Sequence, residues 1–372
     1  MKKAILYIDS MQRGGAQRVM SVLSKFLSDR GIYTVLVNDI IPEEGKAEYS
    51  VDSRVHRVFL DKNTKPGKSK NIARVIGLRR LVKKENPDVI LSFMGPPNYR
   101  MLLATIGVQC RKVVSVRNDP YKEYGTGLKK WIARFIFRFA NGCVFQTEEA
   151  SAYFPAAVQK KGRIILNPVD PSFFNTTWEG EDKTILTVGR LYPQKNHALL
   201  LNAFAQVHKK HPEYKLKICG KGSEENNLEE LASELGIDSF VSFMGEVDNV
   251  KDELKQSSCF VLSSDYEGLP NALMEAMAVG IPVISTDCPC GGPRTLIRNN
   301  ESGILVSCGD ANGLTDAIEK VISNKEKRIR LGQYGKESAA RFRTETVMSE
   351  WLEYLFAESE VISLVGEGKP MD

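Results

Sequence analysis

The stretch that decides the fold is residues 263–277, which read Ser-Ser-Asp-Tyr-Glu-Gly-Leu-Pro-Asn-Ala-Leu-Met-Glu-Ala-Met. It follows the short apolar run 259–263 and passes into residues with helical apolar spacing, which predicts a strand, a tight loop and a helix. Glu267 falls on the loop, and Glu275 falls about two turns into the helix among apolar neighbours. Free backbone N–H groups at the start of such a helix favour a bound phosphate. The stretch therefore predicts a ligand-binding edge of a parallel α/β sheet.

The same alternation of short apolar runs and amphipathic stretches continues along the whole chain, and it predicts two doubly wound α/β domains. The predicted strands are 4–8, 33–37, 55–60, 89–93, 113–116 and 143–146 in the first half, and 184–188, 216–219, 241–244, 259–263, 282–285 and 303–306 in the second. Two prolines interrupt the pattern near 166–171. We therefore expect domains at 1–168 and 169–343, followed by a helix and tail at 344–372.

Composition excludes several classes of protein. The 372 residues are 42% apolar and carry 51 basic against 46 acidic side chains, which is typical of a globular chain and excludes disorder. No apolar run reaches the roughly 18 residues of a spanning helix. The apolar run that opens the chain is too short for a secretory signal, which favours the cytoplasm.

The small net charge of +5 hides an asymmetry between the halves. Residues 1–165 hold 30 basic and 14 acidic residues, whereas the rest holds 21 and 32. A basic N-terminal half suits nucleic acid, an anionic membrane or a phosphate-bearing substrate. Seven cysteines without a Cys-x-x-Cys pair, and only four histidines, support neither a zinc site nor a disulfide scaffold.

Two further loops follow predicted strands. Gly14 and Gly15 come after the first strand and before an amphipathic helix, where the backbone can approach a ligand closely. In the second half, Gly189-Arg190 and Lys195 leave the end of a strand, and two cations at such an edge suit a diphosphate. The alternatives are a plain strand-to-helix turn for the glycines and solvated surface cations for the pair. For Glu275 the alternative to a ribose hydroxyl partner is a structural ion pair.

These residues resemble the GT-B glycosyltransferases of retaining family 4, a group with many bacterial surface-polysaccharide and glycan-assembly enzymes. The resemblance runs from Ile5 to about Leu355 and rests on the Glu267-x7-Glu275 pattern, with the loops at 14–15 and 189–195 in support. It implies the GT-B fold: two Rossmann-like domains facing across a cleft, and a C-terminal helix that crosses back to the first domain. It also implies a nucleotide-sugar donor and transfer with retention. No metal cofactor is expected, because Arg190, Lys195 and the helix dipoles would replace it and the sequence has no Asp-x-Asp motif.

The resemblance also implies a role for each matching residue. Arg190 and Lys195 would hold the donor diphosphate, Glu267 would contact the donor sugar, and Glu275 would contact the ribose. The backbone of Gly268, Leu269, Pro270 and Asn271 would contact the phosphates, and Gly220, Gly245 and Val247 would lie beside the base. The other predicted nucleotide-sugar-binding residues are Gly14, Gly15 and Gly189.

Three departures from the family pattern stand at Gln17, Thr295 and the run 115–120. Relatives often have Glu at the first two positions. Many also have a His in that run, where this chain reads Ser-Val-Arg-Asn-Asp-Pro. Either Asp119 or the leaving phosphate would then take the acceptor proton. Asp119 before Pro120 is equally typical of a turn.

Two stretches bear on the acceptor. Residues 62–84 hold nine basic residues and no acidic one. Residues 128–139 place Leu128, Trp131, Ile132, Phe135, Ile136 and Phe139 on one helical face, interleaved with Lys129, Lys130, Arg134 and Arg138. Such a helix either packs in a core or lies on an anionic membrane.

We therefore expect a cytoplasmic hexosyltransferase, peripheral on the inner membrane face. It would move a hexose or N-acetylhexosamine from a UDP-linked donor to a saccharide on a polyprenyl diphosphate, for capsule, exopolysaccharide or O-antigen. The alternatives are a sugar-nucleotide epimerase on the same fold and a non-catalytic sugar-nucleotide-binding protein. Nucleic acid is not expected as a partner, because the basic run lacks interleaved aromatic residues.

Overall fold

The computed structural model describes residues 1–12, 14–42, 47–63, 70–180 and 182–357. Two parallel sheets organise this part of the chain. The first has the order β3-β2-β1-β4-β5-β6-β7 and the second the order β10-β9-β8-β11-β12-β13. This arrangement is the expected GT-B architecture of two Rossmann-like domains.

The strands of the first sheet are β1 (Lys3–Ile8), β2 (Tyr33–Asn38), β3 (His56–Phe59), β4 (Val89–Phe93), β5 (Arg111–Ser115), β6 (Gly142–Phe145) and β7 (Gly162–Ile164). Those of the second are β8 (Asp182–Val188), β9 (Lys215–Cys219), β10 (Val241–Gly245), β11 (Ser257–Leu262), β12 (Val283–Thr286) and β13 (Ile304–Val306). All the predicted strands are present within a few residues of their expected ends. Strand β7 was missed, because three residues beside Lys160 and Lys161 form no apolar run.

The helices associated with the first domain are α1 (Gly15–Asp29), α2 (Lys70–Glu85), α3 (Gly95–Ala104), α4 (Pro120–Glu123), α5 (Gly127–Ile136), α6 (Glu148–Ala152) and α7 (Ala156–Gln159). Those that follow are α8 (Pro171–Phe174), α9 (His197–Lys210), α10 (Glu225–Glu234), α11 (Val250–Gln256), α12 (Asn271–Val279), α13 (Gly292–Leu296), α14 (Ala311–Ile322), α15 (Lys325–Ala339) and α16 (Thr344–Phe356).

Helix α16 returns to the first domain, as expected for this fold. The ring of its buried Trp351 lies 5.5 Å from that of Phe93 on β4 in a tilted arrangement, and Val347 and Met348 join the core that β1 and α1 form. The tail 358–372 lies outside the described residues. The return places α16 under the first sheet and ties the end of the second domain to it.

The apolar stripe of residues 128–139 is mostly exposed rather than buried in a core. Trp131 on α5 is 65% exposed, and its ring stacks on that of Phe135 with an interplanar angle of 4°. Leu128 and Phe139 are also exposed. Ile136 departs from the expected stripe, because it packs against the core beneath the helix. The acid-free run 62–84 is described only in part, since residues 64–69 lie outside the described ranges.

Candidate active site

Three loops meet at the carboxyl edge of the second sheet. The N–H of Gly189, just after β8, donates to the carbonyl of Cys219 at 2.9 Å, and the N–H of Gly220 donates to the carbonyl of Gly245 at 2.7 Å. Gly220 has a φ of +146°, and a Cβ there would lie 1.9 Å from the carbonyl oxygen of Gly189. Glycine is therefore required where these loops cross. Val247 lies half-buried just beyond β10.

Lys195 and Glu267 form an ion pair at this edge, although 72 residues separate them in the chain. The Ser264 hydroxyl donates to the same carboxylate oxygen at 2.7 Å, and Glu267 is buried. The side-chain amide of Gln194 holds the two loops together by donating to the carbonyl of Tyr266 at 2.8 Å. The structure thus brings together the predicted cation and the predicted sugar-binding carboxylate, while their contacts to substrate stay predictions.

Arg190 differs from Lys195 in its surroundings. Its side chain is exposed, and the guanidinium lies 5.3 Å from the centre of the Tyr192 ring. Within the described part of the chain it forms no ion pair. An exposed guanidinium of this kind keeps its donors available for a phosphate.

The N-termini of α1 and α12 face one another across the cleft between the domains. A Cβ on Gly15, the first residue of α1, would lie 3.0 Å from Nδ2 of Asn271, the first residue of α12. At neither start does a described side chain cap the helix, since Gly14 and Pro270 occupy the cap positions. Unpaired N–H groups and two helix dipoles therefore converge on one spot, which favours an anion.

Glu275 lies on α12 and is buried among apolar neighbours, as expected. It lies one turn into the helix rather than about two, because α12 begins only at Asn271, after Pro270. Its carboxylate pairs with the guanidinium of Arg18 on α1, in the opposite domain. Burial raises the pKa of Glu275, and the nearby Arg18 charge counteracts that rise. The ion-pair alternative thus describes this structure, and a ribose contact stays a prediction.

A polar relay that the sequence did not reveal also joins the domains. Oδ1 of Asn167 accepts hydrogen bonds from Arg117 and, at 3.0 Å, from Gln146, while its Nδ2 donates to Oδ1 of Asn271 at 2.7 Å. Gln146 also accepts from the N–H of Leu269 at 3.2 Å. The relay therefore positions the Gly268–Asn271 turn from the first domain. The only sequence signal for it was the family-like stretch 166–169.

Asp119 caps α4 by accepting a hydrogen bond from the N–H of Tyr121 at 2.9 Å. This is the turn-forming role that the sequence also allowed. The carboxyl is almost fully buried, and its role as an acceptor base stays a prediction.

In the described ranges, no group of three His, Cys, Asp or Glu side chains is arranged to hold a metal ion. All seven cysteines are free thiols. None of the described helices combines the length and apolar character needed to cross a bilayer.

Comparisons with known proteins agree with this geometry. Residues 13–173 match the family model Glycosyltransferase Family 4, and residues 169–338 match Glycosyl transferases group 1. A Campylobacter jejuni relative is 28% identical over 95% of this chain and 98% of its own length. It is named GalNAc-alpha-(1->4)-GalNAc-alpha-(1->3)-diNAcBac-PP-undecaprenol alpha-1,4-N-acetyl-D-galactosaminyltransferase.

A second relative, the lipopolysaccharide core biosynthesis glycosyltransferase LpsE of Rhizobium meliloti, is 27% identical over 92% of this chain and 96% of its own length. Among solved structures, HepE of Anabaena in complex with UDP and glucose superposes with a TM-score of 0.80. It covers 96% of this chain and 100% of its own at 18% identity, so it supports the fold alone. The comparisons give the epimerase alternative no support. The two domains, the cleft between them and the two consecutive family matches show that the chain belongs to the GT-B glycosyltransferases of family 4.

Proposed function

We propose that this glycosyltransferase moves a hexose or N-acetylhexosamine from a UDP-linked donor, with retention, to a saccharide carried on a polyprenyl diphosphate. The observation that carries the proposal is the convergence of the Lys195–Glu267 pair and the N-termini of α1 and α12 at one cleft. A diphosphate needs positive potential on several sides, and this cleft supplies it from both domains.

Each residue then has a part in transfer. Lys195 and Arg190 bind the diphosphate and offset the negative charge that builds on the leaving nucleotide. Glu267, fixed by Ser264, accepts hydrogen bonds from donor sugar hydroxyls. Glu275 accepts a hydrogen bond from the ribose, beside or in place of Arg18. We also propose that transfer needs no metal, because these cations and helix dipoles supply the charge that a divalent ion otherwise gives.

The acceptor class is supported by the relatives and by the first domain. The C. jejuni relative acts on an undecaprenyl diphosphate-linked saccharide by its name. The LpsE relative is named for lipopolysaccharide core biosynthesis, which favours a role in bacterial surface-glycan assembly. We propose that the exposed apolar face of α5, with its flanking Lys129, Lys130, Arg134 and Arg138, rests on the anionic cytoplasmic face of the membrane.

The test is turnover of a panel of nucleotide sugars with a short-chain lipid diphosphate saccharide, with and without a chelator. We expect one UDP sugar to be consumed, a product whose anomeric carbon keeps the donor configuration by NMR, and no effect of the chelator. Release of an epimerised nucleotide sugar without any acceptor would contradict transfer. An inverted anomeric carbon would contradict retention.

A further inference from the structure

A pocket of about 580 Å³ lies between α2 and α3, outside the residues assigned so far. This volume is within the range of roughly 300–1,000 Å³ that small-ligand pockets occupy. Its walls are apolar and partly open to solvent, since Ile72, Ile76 and Leu103 are all exposed. Tyr99 adds an aromatic wall. An apolar surface left open in this way is suited to a ligand with apolar parts.

Glu123 on α4 closes one end of this pocket. Its Oε1 accepts a hydrogen bond from the N–H of Gly95 at 2.6 Å, whereas its buried Oε2 has no partner among the described residues. A buried oxygen without a donor costs about 1–3 kcal/mol, which a ligand with an N–H or O–H group would recover if a rotation of the Glu123 side chain turned this oxygen into the pocket. Met94, directly before Gly95, has a φ of +76°, a strained conformation that tends to mark functional sites.

The same end of the pocket borders the cleft. Both α4 and Gly95 follow strands of the first sheet at its carboxyl edge, the edge that faces the second domain. Lys122, adjacent to Glu123, lies 5.2 Å from the ring of Tyr266, next to the predicted sugar-binding Glu267. A group bound at Glu123 would therefore be close to the donor sugar side of the cleft.

The pocket favours an uncharged group. Among its described lining residues the one cation, Arg100, is already used: Nε donates to the Tyr7 hydroxyl at 2.8 Å, Nη1 donates to Asn71 at 2.9 Å, and Nη2 pairs with Asp39. With no cation of the described lining left over, a phosphate or carboxylate would bind unpaired, which is unfavourable in an apolar site.

Burial raises the pKa of Glu123 to about 7, although the nearby positive charge of Arg117 acts to lower it. Near neutral pH the carboxyl therefore exists in both forms, one accepting and one donating a hydrogen bond. An acetamido group offers an N–H, a carbonyl and a methyl together, so it matches either form and also the apolar wall. A plain hydroxyl group lacks the methyl, and an alkyl chain lacks the hydrogen-bonding atoms.

We propose that the pocket between α2 and α3 binds the acetamido group of an N-acetylated acceptor sugar, with Glu123 as its hydrogen-bonding partner. The inference rests on the proposed function and deepens it, because it makes this pocket the determinant of acceptor specificity. It predicts that the enzyme distinguishes an acetamido group from a hydroxyl group on the acceptor sugar.

The test compares octyl glycosides of N-acetylgalactosamine, galactose, N-acetylglucosamine and glucose as acceptors, with the UDP sugar that the wild type consumes. Each N-acetylated glycoside is compared with the glycoside that has a hydroxyl group in place of the acetamido group. In the pair that the enzyme uses, we expect kcat/KM to be about tenfold or more higher for the N-acetylated member. Glu123→Ala and Ile76→Ser should each reduce this ratio several-fold while the donor KM stays unchanged. Ile329→Ser, at an exposed position on α15, is the matched control and should keep the ratio.

Equal kcat/KM for the acetamido and hydroxyl members in the wild type would overturn the inference, as would an unchanged ratio in both pocket variants. Binding of UDP, measured for each variant, shows that the fold is retained. If the wild type transfers to none of the glycosides, the proposed function is in question rather than the pocket. Saturation-transfer NMR with the octyl glycosides then decides the inference without turnover, and equal binding of both members would overturn it.

Discussion

Arg18 on α1 and Glu275 on α12 form an ion pair that joins the two domains across the cleft. Neither side chain is more than one-fifth exposed, and the apolar face of α12 gives the carboxylate no other cation among the described residues. Burial raises the pKa of Glu275, so the Arg18 guanidinium is what makes the charged form tolerable there. A ribose that binds Glu275 must therefore share the carboxylate with Arg18 or displace it.

The first prediction concerns Glu275→Gln. The amide keeps a hydrogen-bond acceptor for Arg18 and loses the desolvation penalty of the carboxylate, so the melting temperature should stay within a few degrees of wild type. Donor affinity should fall by about 1–3 kcal/mol, because a charged acceptor of the ribose hydroxyl is lost. Calorimetric titration with UDP and thermal unfolding measure the two effects.

The matched control is Glu253→Gln, which weakens the ion pair of Glu253 with Lys217 inside the second domain. It should leave UDP affinity at the wild-type value. A large drop in stability of Glu275→Gln with unchanged UDP affinity would instead show that Glu275 serves the fold alone.

The second prediction concerns the two cations of the predicted diphosphate site. Arg190→Ala and Lys195→Ala should each lower kcat by roughly 10²–10³, as the loss of one charge-stabilising donor does. Lys195→Ala should also raise the donor KM more than Arg190→Ala does, because it leaves the buried Glu267 carboxylate without its cation. Steady-state kinetics with Lys209→Ala, at the far end of α9, as control would check this. Near-normal turnover in both variants would remove them from the site.

The sequence predicted the two-domain fold, every strand except β7, and the position of Lys195 and Glu267 on loops after strands, because these depend on short-range patterns. It did not predict that Arg18 would pair with Glu275 or that Asn167 would link Arg117 to Asn271. The Arg18–Glu275 and Asn167–Asn271 contacts join residues more than a hundred positions apart across a domain interface, where no periodic pattern reports which side chains meet. Glu123 was missed for a different reason, since only the packing of α4 shows that one of its oxygens lacks a donor.

The third prediction concerns the pH dependence of stability. The pKa of Glu123 is about 7 in the folded protein, above its ordinary value of 4.5, so the folded state holds this proton more tightly than the unfolded state. The contribution of Glu123 to the free energy of unfolding is therefore fully present below pH 4.5. It is lost as the pH rises through 7, by about 3 kcal/mol in all.

Glu123→Gln is neutral at every pH and should lack this loss. Its free energy of urea unfolding, relative to wild type, should therefore rise between pH 5 and about pH 7 and level off above that. The same substitution at the exposed Glu148 controls for removal of a negative charge from the first domain. A difference between wild type and Glu123→Gln that does not change over this range would refute the raised pKa.

The last prediction concerns the exposed face of α5. Each Lys or Arg near an anionic bilayer contributes about 1 kcal/mol, so reversing Lys129, Lys130, Arg134 and Arg138 to Glu should weaken vesicle binding by at least about 10²–10³-fold. Reversal of Lys320, Lys325, Lys327 and Arg330 on α14 and α15 changes the net charge equally and should leave binding intact, because α5 sets its charges beside a cluster of large exposed apolar side chains that includes Trp131 and Phe135. Co-sedimentation with vesicles of neutral or anionic lipid measures both sets.

A salt series separates the electrostatic and the apolar contributions of this face to vesicle binding. Attraction between charges decays over about 8 Å at physiological salt, so the part of binding that depends on the basic residues should disappear at high salt. Insertion of Trp131 and Phe135, whose stacked rings protrude from α5, would leave a salt-resistant fraction that Trp131→Ser with Phe135→Ser removes. Equal sedimentation with neutral and anionic vesicles, or none with either, would contradict electrostatic docking. The lipid diphosphate of the acceptor would then be the remaining anion for the basic first domain to bind.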